Sequence, residues 1–182
     1  MSEFNWHNIR SFNTSQNNAF EELVCQLARE EEIAGRKSFY RVGAPDGGVE
    51  AYCEMENGDE YGWQAKFFDA MGDSQWRQLD KSFKNAYEKH PNLVKYYICL
   101  PLDQADPRVK KQKWFKDKWD AKVAEWSKSA NSNGRIIEFE YWGSSELLHR
   151  LALEKHSGRR RFRFNKEEFT DEWLYEKLDR RQ

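Results

Sequence analysis

Hydrophobic positions along the chain change their period several times, and each change marks an element. Phe20, Leu23, Val24 and Leu27 recur at helical spacing after Ser15, a residue suited to cap a helix N-terminus. The pattern predicts a helix over 17–32, closed by Gly35. Ser38 to Val42 is a short strand, and Ala44-Pro45-Asp46-Gly47-Gly48 is a turn by composition. Val49 to Met55 alternates, with Val49, Ala51 and Cys53 on one face and Glu50, Tyr52 and Glu54 on the other. Asn57-Gly58-Asp59 closes a hairpin, and Tyr61 to Phe68 is its return strand. Trp76, Leu79, Phe83 and Tyr87 then share one side of a helix over 73–90, which His90-Pro91 stops.

The second half continues the alternation of helix and strand. Leu93 to Leu100 reads as a buried strand. Pro107 opens a helix rich in Lys and Trp that runs to about Ala130. Arg135 to Trp142 is a strand, and Ser144 caps a helix carrying Leu147, Leu148 and Leu151. Ser157-Gly158 and the arginines after it break that helix, and 166–180 form one more. Residues 1–13 read as an irregular lead-in. The order α-β-β-β-α-β-α-β-α predicts an α/β fold, a mixed central sheet flanked by helices.

Composition adds one point. The hydrophobic fraction is 38%, below the usual ~45–50% of a globular domain. Aromatics at 15% compensate, because each ring buries a large area. The chain of 182 residues is long enough for one core. Cys25, Cys53 and Cys99 form no CxxC pair, and the histidines do not cluster, which argues against a zinc knuckle. With no long apolar run and no signal peptide, a reduced, cytoplasmic protein without a membrane partner is expected.

Net charge is −1, so only its distribution informs. Acids prevail between residues 20 and 60. Bases prevail from Arg108 to Lys122 and again at Arg159, Arg160, Arg161 and Arg163. Local basic patches can hold phosphate even at neutral total charge. Candidate contacts to the nucleic-acid backbone are Gln78, Lys81 and Lys84 on the helix after the hairpin, and Lys110, Lys111 and Lys113 beside Trp114 and Phe115. An amphipathic helix with Trp114 and Trp119 in the core explains the last set equally well. Arg159 to Arg163 read as a phosphate clamp or a linker. Nothing in the chain looks able to read base sequence.

The chemistry centres on Asp46, Gln64 and Lys66. Gln64 and Lys66 share a strand face, while Trp63, Ala65 and Phe67 pack the other. A hairpin of 46–55 with 61–68 brings Asp46 beside them. Asp46 and the Gln64 carbonyl offer oxygens to a hard cation such as Mg²⁺, and Lys66 can stabilise charge on phosphate. By helical phase, Glu21 lies at the edge of the first helix's buried face, and Glu22 should face water.

Phe20-Glu21, Pro45-Asp46 and Gln64-x-Lys66, in this order along α-β-β-β-α-β, resemble the PD-(D/E)xK nuclease superfamily. The nearest branch is Mrr-like restriction endonucleases, which Gly47-Gly48-Val49 also fits. The resemblance spans about residues 15–155. It implies a restriction-endonuclease-like core, Asp46 and Gln64 as metal ligands, Lys66 as the catalytic lysine and Glu21 as an accessory acid. It implies a Mg²⁺-dependent DNA endonuclease, with Mn²⁺ as a substitute. RNA is a weaker candidate substrate. The neutral Gln64 keeps a second reading open, a non-catalytic nucleic-acid or protein-interaction module on a decayed nuclease fold. The chain also resembles N-terminal effector domains of bacterial anti-phage STAND NTPases. That implies self-association driven by further domains, with a nuclease domain over 1–156 and a basic linker and connecting helix over 157–182.

Overall fold

The computed structural model describes residues 4–43, 47–104 and 110–164, the side chains of 110–113 excepted. Helix α1 (Gln16–Arg29) leads into strands β1 (Arg36–Arg41), β2 (Ala51–Met55) and β3 (Glu60–Ala65). Helix α2 (Asp73–Lys89), β4 (Leu93–Cys99), α3 (Lys110–Ser132), β5 (Glu138–Trp142), α4 (Ser144–Leu151) and α5 (Ser157–Arg163) follow. The strands lie in sequence order in one five-stranded sheet. β1, β2 and β3 pair antiparallel, while β3–β4 and β4–β5 pair parallel. The mixed α/β sheet flanked by helices is therefore present, and α2 and α3 make the crossovers that parallel strands require.

Two cores lie on the two faces of the sheet. Phe20, Leu23 and Leu27 of α1 pack with Trp63, Ala65, Tyr97, Cys99 and Trp142 and with Leu147 and Leu151 of α4. Trp76, Leu79 and Phe83 of α2 pack with Tyr96, Ile98, Phe115, Trp119 and Trp126. The strands supply both cores by alternation: Tyr97 and Cys99 go one way, Tyr96 and Ile98 the other. The Trp63 ring stacks on Tyr97 at 4.5 Å and 4°. The three cysteines are buried and free. Among the described residues, no helix is long and apolar enough to cross a membrane.

Several expectations need correction. Helix α1 stops at Arg29, and Gly35 instead takes a left-handed turn before β1 (φ 81°). The lead-in is not irregular throughout, because Trp6 and Ile9 belong to the first core. Trp6 also donates its indole N–H to Ser144 Oγ at 2.8 Å, so Gly143, not Ser144, occupies the N-cap of α4. Ile136 is 84% exposed, since β5 begins only at Glu138. Trp114 is exposed, and Phe115 takes the buried place on α3. The segment after Ser157 folds as α5, and Phe164 joins the first core. The predicted helix over 166–180 lies outside the described residues.

Candidate active site

The site forms where β2 begins and β3 ends. β2 and β3 pair with Ala51 opposite Trp63. The amide of Glu50 also donates to the Trp63 carbonyl, at 2.7 Å. Two residues of one strand thus meet one residue of the other, as in a bulge, which re-aims side chains. The alternation expected from Val49 to Cys53 breaks there: Val49 packs with the second core, and Cys53 with the first. Gly48 makes this path possible. A Cβ on it would lie 2.4 Å from the Ala86 backbone nitrogen, so the loop touches α2 directly.

The bulge places Glu50, which the sequence reading assigned to the outer face of β2, on the wall of a cavity of about 460 Å³. Glu21 from α1, Arg41 from β1, Gly47 and Asn18 line the same cavity. Arg41 donates to Glu50 Oε2 at 3.3 Å, to Glu22 Oε2 at 3.1 Å and to the Glu50 carbonyl at 2.7 Å. Glu22 is therefore half-buried and paired rather than facing water, because the guanidinium reaches across from β1. Glu21 is the acid left facing the cavity, as helical phase predicted. Glu50 had one sequence signal. It stands opposite Gln64 if the hairpin register is extended by one pair, but strict alternation hid its direction.

Burial first, and then the neighbouring Glu50 charge, push the Glu21 carboxyl up to about 7, with Lys66 and Arg41 pulling the other way. Folded Glu21 thus holds a proton that an unfolded chain releases near 4.5. Its contribution to stability is fully present below about 4.5 and is lost as pH rises through about 7. Chemical denaturation between these limits should show stability falling with pH in the parent and a flatter profile in Glu21→Gln. Identical profiles would show that Glu21 titrates normally.

Gln64 and Lys66 follow a different geometry from each other. Gln64 is fully buried and turns toward α2, where its Nε2 donates to Ser82 Oγ at 2.9 Å. Its Oε1 is buried with no hydrogen-bond partner. Trp63 and Ala65 pack with the first core, as the two-faced reading expects, but β3 ends at Ala65, so Lys66 and Phe67 lie beyond the strand and Lys66 does not share a strand face with Gln64. The Lys66 amide is anchored to the Cys99 carbonyl at 3.1 Å, and its charge acts on Glu21. The structure thus brings Glu21, Glu50 and Lys66 together. It does not bring the Gln64 amide into the cavity. Asp46 lies outside the described residues.

No family model matches the chain, and no curated protein matches it. The site therefore stands on its own chemistry. Among the described residues, no group of three His, Cys, Asp or Glu side chains gathers as a metal cage. The carboxylate oxygens that Glu21 and Glu50 bring to the cavity are nonetheless of the kind a hard cation takes. Gln78, Lys81 and Lys84 are exposed on α2. The side chains of Lys110, Lys111 and Lys113 lie outside the described residues.

Proposed function

We propose that this chain is a Mg²⁺-dependent nuclease domain that hydrolyses DNA phosphodiester bonds with little sequence specificity. One observation carries the reading: two carboxylates, Glu21 and Glu50, share a cavity, and burial together with the Glu50 charge holds the Glu21 carboxyl high against the pull of Lys66 and Arg41. A carboxylate pushed up by burial and by a like charge in a cleft is a common mark of a functional site. The element order α-β-β-β-α-β supports a restriction-endonuclease-like core. Glu50 joins Asp46 and Gln64 as a candidate ligand for Mg²⁺ or Mn²⁺, with Glu21 as accessory acid. A bound divalent cation would polarise the phosphate and acidify its water. Lys66 stabilises negative charge gathering on the phosphate oxygens. Lys81, Lys84 and Gln78 on α2, with Lys110, Lys111 and Lys113 on α3, hold the flanking backbone. In a longer cytoplasmic defence protein, self-association of further domains would switch this activity on.

A second reading, a non-catalytic interaction module, has its own support. Arg41 already pairs with Glu50, and Gln64 is neutral and tied to Ser82. One assay separates them: plasmid DNA and a structured RNA, each incubated with the domain alone and forcibly dimerised, in Mg²⁺, Mn²⁺ or EDTA. Metal-dependent DNA nicking supports the nuclease. Cutting of RNA alone would reassign the substrate. Binding without turnover in every condition would establish the second reading.

A further inference from the structure

The arginine run of α5 divides by environment. Arg159 pairs with Glu30, and Arg160 donates to the Leu151 and Leu153 carbonyls, so both serve the fold. Arg163 is as deeply buried as Arg160, and the Nε of each is buried without a partner, but among the described residues Arg163 has no ion pair. Its guanidinium instead lies between two aromatic rings, 5.3 Å from the Phe12 centroid and 5.1 Å from that of Phe162. Arg10 also reaches this cluster, 5.2 Å from the Phe162 centroid. The Arg163 guanidinium is enclosed, with the Glu22 charge acting on it, so it stiffens the cluster from beneath, while the exposed Arg10 is the cation an anion can reach.

Phe12 connects this cluster to the cavity of Glu21 and Glu50, whose wall it forms with Asn13 and Asn18. The ring is 38% exposed at a tight turn in which Phe12 and Ser15 exchange backbone hydrogen bonds. Asn13 and Thr14 hold that turn with φ of 46° and 70°. A left-handed β-branched Thr is unfavourable, so the ring's position is bought with backbone strain. The cavity volume lies within the ~300–1,000 Å³ of small-ligand sites, which suits one nucleotide unit and not a base-paired duplex.

We propose that Phe12 and Arg10, backed by the buried Arg163, form a docking patch for single-stranded nucleic acid. Phe12 stacks one unpaired base, the exposed Arg10 guanidinium takes a flanking phosphate, and the strand continues into the acidic cavity. Bases in a duplex have both faces covered, so only an unpaired base reaches a ring set in a concave wall. Stacking on an aromatic ring beside arginines is sequence-tolerant, because every base has a π-face. The patch rests on the nuclease reading for its purpose but not for its test.

The test measures binding in EDTA, where no cutting occurs. The intact chain is titrated with a thymidine oligonucleotide carrying one 2-aminopurine, with its uridine counterpart, and with the matching DNA duplex. Single strands should bind more tightly than the duplex and quench the probe, and the tighter of the two names the sugar. Phe12→Ala should weaken single-strand binding about tenfold or more and abolish quenching, while Phe12→Trp keeps both. Arg10→Ala, at an exposed position that leaves the fold alone, should lower the salt slope of log affinity by about 0.7. Unchanged binding in both Phe12→Ala and Arg10→Ala, or equal duplex affinity without quenching, overturns the patch. A chain that binds this way but never cuts refutes only the nuclease reading. One that cuts, with Phe12→Ala binding as the parent does, refutes only the patch.

Discussion

Glu50→Gln and Lys66→Ala should each slow Mg²⁺-dependent plasmid nicking by about a thousandfold, close to 4 kcal/mol of lost transition-state stabilisation. Each variant removes one charge from a site where charge is the chemistry. Glu50 sits on the cavity wall beside Glu21, so its loss removes an anionic oxygen and also relieves Glu21 of a repelling neighbour. Lys66 is held by its own backbone bond to β4, so alanine removes the ammonium without moving the strand. Asp46→Ala, assayed in parallel, tells which acid matters more. The Arg41–Glu50 contact is partly buried and 3.3 Å long, and glutamine keeps the side chain's shape and one acceptor oxygen, so thermal melting of Glu50→Gln should fall only slightly below that of the parent. Full metal-dependent nicking by both Glu50→Gln and Lys66→Ala would remove the catalytic reading.

The largest expected effect on stability is at Trp63. Trp63→Ala should cost about 3–5 kcal/mol, because a buried indole leaves a void that the sheet cannot close. The residue is fully buried in a central strand and packs against Tyr97, Trp142 and Phe39. Its indole N–H has no hydrogen-bond partner among the described residues, so Trp63→Phe gives up packing volume but no hydrogen bond and should cost much less. Urea denaturation measures both. Near-equal midpoints for Trp63→Ala and the parent would mean that the first core does not depend on this ring. The same change should spoil the site, since the Trp63 carbonyl receives the Glu50 amide.

The element order and the two-layered burial were legible in the chain. Helices α1 and α2 announced themselves through Phe20, Leu23 and Leu27 and through Trp76, Leu79 and Phe83, because a period of 3.6 places these on one stripe. The opposed faces of β3 were legible from Trp63 and Ala65 against Gln64, since strand period is strict within a ladder. Glu21 over Glu22 as the cavity acid came from the same helical arithmetic. Those features depend only on local geometry, which sequence spacing encodes directly.

Tertiary structure decided the rest. Whether Glu50 faces solvent or the cavity depends on a bulge at Trp63 and on the close approach of Gly48 to α2, and neither is a property of the strand alone. Whether Glu22 is free depends on Arg41, nineteen positions away. Gln64 stands two residues before Lys66, yet β3 ends at Ala65 between them, and Ser82 of α2 captures the Gln64 amide and turns it from the cavity. The arginines of α5 read alike in sequence, but only packing separates Arg160, spent on carbonyls, from Arg163, set between two rings. Periodicity tells which side chains point together. Only the long-range contacts, closed when the sheet and helices assemble, tell what each of them meets.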